Sequence, residues 1–426
     1  MVVGSWTGQP GQPDRTGQPP ATIATCGAGQ QTTMPQKATT NPSRFDILPD
    51  MQDFVMNLRH RLIRLAETIS RKTYFLDKLK TRLGISQLVL KILAPPVSKS
   101  DRTKIMTSLD LDYIARKTKQ VTQLGNTPTY WILLTHSMGD IVACEPIARY
   151  LKQMAPAAKI GWIVRRPFRE LVAHNPNIDS VATVESLAEG KSMAAKLVAE
   201  SPDVIIVDCH FDGTSCPATN KIFRNPANPR INIHTYYSIG PLLETYSLAA
   251  GLPPLTDSPI FYFGGNHNLP DGIHARRIVF HCRSSEQCRD WTDEKWNLLA
   301  DKLAETGYQV VEVGTERVLD CGKNTVFDFT GSQNLIQIAS IIKDANAFVG
   351  VDSVFAHIAN AVMTPSVILL GKYRNFPSYF PYTGTFSHSD SFQVVRAING
   401  QPASNIEAGE VLSALQKLLT KPAPTI

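Results

Sequence analysis

From Tyr130 onward, short apolar runs alternate with segments of helical spacing. Strands are predicted over Tyr130–Thr135, Lys159–Val164 and Asp203–Asp208, with helices over 140–154, 166–174 and 184–200. This βαβ rhythm implies a parallel sheet covered by helices. A Pro/Asn-rich irregular stretch at 217–229 and a helix over 240–250 follow. Next comes a loop from Gly251 to Asp271, crowded with Pro, Gly and Asn, which reads as an interdomain linker. The rhythm then restarts, with strands over Arg277–Cys282, Tyr308–Val313, Val326–Phe329, Ala347–Val351 and Ser366–Leu370. Helices over 293–306, 333–344 and 353–363 belong to this second unit, and an amphipathic helix over 405–419 closes it. Two successive doubly wound units place a ligand in the crevice between them, at the carboxyl ends of the strands.

The N-terminal third is different. Residues 1–42 hold 26 Gln, Gly, Pro or Thr, with GQP at 8–10, 11–13 and 17–19, too little apolar surface to offset chain entropy. The stretch reads as disordered and lacks the pattern of an export signal, with Met51 and Met56 as alternative starts. Between Gln52 and Leu93 the spacing predicts two basic amphipathic helices, interrupted by Lys78, Lys80, Arg82 and Lys91 too often to cross a membrane. The expected organisation is a disordered head (1–43), a basic helical region (44–128), two Rossmann-like domains (129–265 and 266–400), and a C-terminal helix and tail (401–426).

Charge sharpens this division. Of the net +6 over 426 residues, residues 1–128 contribute 18 Lys and Arg against 9 Asp and Glu, and the remainder is mildly acidic. A catalytic body without basic patches argues against a nucleic-acid enzyme. Seven scattered cysteines, an odd count with no C-x-x-C pair, argue against a disulfide framework and a structural zinc site, and suit a reducing compartment.

Chemistry is sought where strands run into helices. In Thr135-His136-Ser137-Met138-Gly139-Asp140, Gly139 permits close backbone approach, and Asp140 is either a general base or a helix cap. Arg283-Ser284-Ser285-Glu286-Gln287-Cys288-Arg289 is either a diphosphate grip or a solvated loop, with Trp291 and Trp296 as core. Asp352 and Ser353 open a helix whose free N–H groups suit a phosphate, while His357 one turn on is a ligand contact or a packing residue. Glu316 follows a strand end, where a carboxylate holds a sugar hydroxyl or is simply wet. Phosphate-loop, dinucleotide and nucleophile-elbow motifs are all missing. Asp208-Cys209-His210-Phe211-Asp212 looks metal-like, but so many ligands in five residues rarely converge.

Four segments together carry a resemblance. His136-Ser137-Met138-Gly139-Asp140-Ile141-Val142 with Pro146 and Leu151 is the first. Arg289-Asp290-Trp291 with Trp296 is the second, and Phe329-Thr330-Gly331 with Leu335 the third. Val351-Asp352-Ser353 with His357, Ala361, Pro365 and Gly371 is the fourth. In this order, over roughly 130–375, they resemble glycosyltransferase family 9, the ADP-heptose:lipopolysaccharide heptosyltransferases. The resemblance implies a GT-B fold and an inverting, metal-independent transfer with no cofactor. The acceptor lies mainly on the first domain and the nucleotide-sugar, ADP-heptose, on the second. It makes Asp140 the base and Gly139 part of its backbone loop. It assigns Arg289, Glu316, Asp352, Ser353, Val354 and His357 to the donor, and the hydroxyl of Ser284 in the 283–289 loop is placed with them on position.

Arg289 stands where the family usually has Lys, and Val354 where it has Gly. The implied acceptor is a glycolipid or surface glycan, and the implied location is the cytoplasm. Residues 52–93 lie outside the resemblance and are either a peripheral contact to anionic membrane or a solvated helical face that packs on the first domain. A different nucleotide-sugar, a protein acceptor, and a non-catalytic glycan-binding member are the alternatives that the same motifs leave open.

Overall fold

The computed structural model describes residues 99–420, apart from 226, 266–267, 321–325, 333 and 389. The head and the basic helices expected over 52–93 lie outside the described residues. Two helices lead in, α1 (Lys99–Met106) and α2 (Tyr113–Gln123). The first sheet contains β1 (Thr129–Leu133), β2 (Lys159–Arg165), β3 (Ser180–Val184) and β4 (Val204–Asp208). Its order is β3-β2-β1-β4, parallel throughout. Helices α3 (Met138–Ala143), α4 (Pro146–Met154), α5 (Glu170–Ala173) and α6 (Leu187–Glu200) connect these strands. An antiparallel hairpin, β5 (Thr214–Cys216) and β6 (Lys221–Phe223), precedes α7 (Tyr236–Ile239) and α8 (Leu242–Ala249).

The second sheet holds β7 (Arg277–His281), β8 (Gln309–Gly314), β9 (Val326–Thr330), β10 (Ala347–Val351), β11 (Ser366–Leu370) and β12 (Phe392–Arg396). Its order is β12-β11-β10-β7-β8-β9, again parallel, the doubly wound arrangement whose direction reverses between β7 and β10. Helices α9 (Asp293–Ala304), α10 (Leu335–Ile342), α11 (Val354–Ala361), α12 (Thr385–His388) and α13 (Ala408–Leu419) accompany it. Helices on both faces leave no solvated side, so β7, β10 and β11 are buried at every position and are apolar apart from Arg277 and His281 at the ends of β7 and Ser366 at the start of β11.

Three expectations need correction. The strands β3 and β12 were not expected, and each is the outermost strand of its sheet. Both are partly exposed along their length, so neither carries the continuous apolar run that marks a central strand. The helix expected over 140–154 is two helices. α3 ends at Ala143, and Pro146, which fits only the first turn of a helix, starts α4. The stretch expected to be irregular at 217–229 contains β6 of the hairpin.

The two sheets meet where α3 packs on α11. Their separation is set by Gly139: a Cβ there would lie 2.9 Å from Cδ2 of His357 and 3.6 Å from Cα of Val354. One turn further along α3, Val142 is buried in the apolar core of the second sheet. A column of rings continues the contact. Tyr246 stacks on Phe211 at 4.3 Å and Phe211 on Tyr236 at 4.7 Å, and Tyr236 meets Phe376 edge-on at 5.1 Å. Such pairs contribute beyond the area they bury because the ring quadrupoles are matched.

Gly139→Ala should therefore overpack this junction and cost about 1–3 kcal/mol of stability. Adding His357→Ala should restore part of that loss, because the clashing ring is gone. Urea denaturation of the single and double variants measures both effects, and additive losses would show that the ring is not what limits the approach.

Candidate active site

At the end of β1 the chain turns through Thr135 and His136 into α3. Ser137 is the N-cap, so Asp140 is the third helical residue and not the cap. Its Oδ2 accepts hydrogen bonds from the hydroxyls of Ser137 (2.8 Å) and Tyr246 (2.8 Å). Burial raises the pKa of this carboxyl. The two hydroxyl bonds and Arg289 pull it back, and the nearby charge of Asp352 adds to the rise.

The opposing wall comes from the reversal point of the second sheet. Asp352 follows β10 and is buried. Its Oδ2 accepts from Tyr379 (2.9 Å) and Arg289 (3.1 Å), and its Oδ1 accepts from Tyr382 (2.9 Å). Ser353 is the N-cap of α11, its hydroxyl accepting from the N–H of Phe355 at 3.2 Å. Burial disfavours the charge of Arg289, but Asp352 more than offsets this and keeps the guanidinium protonated. That guanidinium also donates to Ser285 (3.3 Å) and lies 4.9 Å from the centre of the Tyr373 ring. Its Nε is buried and, among the described residues, has no acceptor. A second guanidinium, that of Arg374, lies 5.1 Å from the same ring and is bonded to Glu286. Arg374 adopts φ +50° in a tight turn closed by bonds between Tyr373 and Phe376.

The crevice thus brings together Gly139, Asp140, Arg289, Asp352, Ser353, Val354 and His357. His357 is buried, and burial lowers its pKa to about 4, so the imidazole is neutral and packs on Gly139 and on the Tyr382 ring. Val354 is half-buried against the apolar core that Val142 joins. Ser284 uses its hydroxyl within its own loop, donating to the carbonyl of Glu286 (2.7 Å) and accepting from the Glu286 N–H (3.1 Å). Glu316 faces solvent beside Arg283 at 3.8 Å, while buried Glu312 holds the intervening loop by accepting from the N–H groups of Val318 and Leu319. Trp291 and Trp296 are core residues, meeting edge-on at 4.9 Å.

Tyr246, Tyr379, Tyr382 and Arg374 escaped the sequence reading because no motif spacing marks them. The one available signal was density, with six aromatic residues between 373 and 386. The metal-like segment is an internal network. Asp208 accepts from Lys191 and bonds His210 (2.9 Å), whose Nε2 meets Thr135. Among the described residues no group of three or more His, Cys, Asp or Glu is placed to hold a metal.

Residues 266–391 match the family model described as glycosyltransferase family 9 (heptosyltransferase). Lipopolysaccharide heptosyltransferase 3 of Escherichia coli K12 is 23% identical over 340 residues, which is 67% of this chain and 97% of that protein. The second sheet thus carries the similarity to glycosyltransferase family 9. Among solved structures, a family 9 glycosyl transferase from Veillonella parvula is similar in fold at TM-score 0.51 and 17% identity, covering 73% of this chain and 98% of that one. The ADP-heptose lipopolysaccharide heptosyltransferase II of E. coli is similar at TM-score 0.50 and 20% identity, covering 68% and 98%. The two Rossmann-like sheets of this glycosyltransferase form the GT-B fold. Arg289, Asp352 and His357 lie inside the matched family domain, and Asp140 reaches the crevice from the other sheet. Among the described residues no helix is long and apolar enough to cross a membrane.

The Asp352–Arg289 pair is shielded from water, with side chains 3% and 15% exposed. Asp352→Ala should lower the free energy of unfolding by about 3–5 kcal/mol, because it strands a buried guanidinium. Chemical denaturation reads this directly. A loss below about 1 kcal/mol would place the pair with exposed ion pairs of little worth.

Proposed function

We propose that the chain transfers a heptose from ADP-heptose to a lipopolysaccharide-type acceptor with inversion, and without a metal at the reacting centre. The observation that carries this reading is the pairing of one carboxylate, Asp140, with a buried guanidinium and a helix N-terminus on the opposite sheet. The names of the E. coli relatives supply the substrate class.

In this scheme Asp140 takes the proton of the acceptor hydroxyl as that oxygen attacks the anomeric carbon from the side opposite the diphosphate. The bond from the anomeric carbon to the diphosphate oxygen breaks, and the nucleoside diphosphate leaves with the electron pair. Arg289, with its unmet Nε–H, and the N-terminus of α11 at Ser353 and Val354 stabilise the charge that develops there. Asp352, Tyr379 and Tyr382 hold the guanidinium in place, and Arg374 adds a second cation beside the Tyr373 ring. Cations and backbone N–H groups thus take the part a divalent ion plays elsewhere.

Turnover of ADP-heptose should persist in EDTA, and Asp140→Asn should lower kcat by about 10²–10⁴ with donor affinity little changed. Strict dependence on added Mg²⁺ or Mn²⁺, or near-normal turnover by Asp140→Asn, would overturn the mechanism. The basic segment 52–93, outside the described residues, is proposed to hold the enzyme on anionic membrane. The full chain should then pellet with anionic vesicles at low salt and release at high salt, and a chain starting near Thr127 should stay in solution.

A further inference from the structure

We propose that Tyr246 is a positioning residue for Asp140, fixing which of its two carboxylate oxygens receives the acceptor proton; this rests on the reading of Asp140 as the base. Both hydroxyl donors, Ser137 and Tyr246, bond the same oxygen, Oδ2. Among the described residues no donor is bonded to Oδ1. The carboxylate is thus held by one oxygen, and its other oxygen keeps its lone pairs for an incoming hydroxyl.

The two donors are not equivalent. Ser137 is exposed and lies on the same turn as Asp140, so its hydroxyl moves with the helix and exchanges with water. Tyr246 is buried on α8, a separate element, and its ring is fixed in the stack with Phe211 and Tyr236. It is therefore the bond that ties the carboxylate to the body of the first sheet. The bond also favours the ionised form, opposing the burial that raises the pKa of Asp140.

Other groups face the same carboxylate. From the second sheet these are the anionic Asp352, the cationic Arg289 and the neutral His357. The phenols of Tyr236, Tyr237 and Tyr373 and the Cys144 thiol stay uncharged because burial raises their pKa values. Among the described residues only Tyr246 reaches Asp140 as a buried hydrogen-bond donor, and Tyr246→Phe removes that hydroxyl while keeping the stacked ring.

Without the Tyr246 hydroxyl the ionised carboxylate loses a bond, its pKa rises, and activity that needs the ionised base fades at a higher pH. Tyr246→Phe should keep its melting temperature within a few degrees and bind ADP as the parent does. It should move the acid limb of the kcat/KM profile up by about one pH unit, the size of one lost charge-assisted hydrogen bond. Carbon-13 NMR titration of the aspartate carboxyls in the free protein should show the same rise at Asp140, without any substrate. In an Asp140→Asn background, Tyr246→Phe should change the residual rate less than twofold, because a residue acting through Asp140 has nothing left to act on.

An unmoved carboxyl titration and acid limb, or a full independent loss on top of Asp140→Asn, would overturn the positioning role. Near-normal turnover by Asp140→Asn alone would instead sink the base assignment, and the role of Tyr246 with it.

Discussion

Everything at the crevice depends on how closely α3 can approach α11. Two helix starts from different sheets touch because residue 139 has no side chain and residue 357 is a flat, neutral ring. That contact brings a carboxylate from the first sheet close enough to Asp352 and Arg289 for their charges to shift its proton affinity. A larger residue at 139 would separate the sheets at the one place where both contribute to a common site.

The electrostatics of the crevice are arranged to keep two carboxylates distinct. Asp352 is surrounded by a guanidinium and two phenols, a set of donors that stabilises its charge deep inside the protein. Asp140 has two hydroxyl donors on one oxygen and no cation in contact, so burial dominates and its affinity for a proton is raised. Carboxyl groups in unlike surroundings take unlike tasks, one holding an arginine and the other available for proton transfer.

The two departures from the family pattern have structural counterparts. Arg in place of Lys at 289 allows several bonds at once, to Asp352 and Ser285, with a planar face near Tyr373 and one N–H left over. Val in place of Gly at 354 gives the start of α11 an apolar side chain that joins the core shared with Val142. Donor stabilisation in the proposed mechanism thus leans on the arginine and its neighbours as well as on the helix start.

The sequence by itself determined the βαβ rhythm, the central strands and the strand-to-helix turns bearing Asp140 and Asp352. Each of these depends on local pattern: a parallel strand buried on both faces must be continuously apolar, and a Gly or Ser at a helix start is marked by its type. It also offered Trp291 and Trp296 as core, one of two readings of their segment. The edge strands β3 and β12 were not legible, since a half-exposed strand lacks that apolar run. Nor were the partners of the two carboxylates. Tyr246 lies 106 residues from Asp140, and Tyr379 and Tyr382 lie 27 and 30 residues from Asp352. No local spacing encodes such meetings, and the same holds for the neutral state of His357 and the internal use of the Ser284 hydroxyl. Only the packed tertiary structure decided them, because hydrogen-bond geometry and burial arise where distant segments are brought into contact.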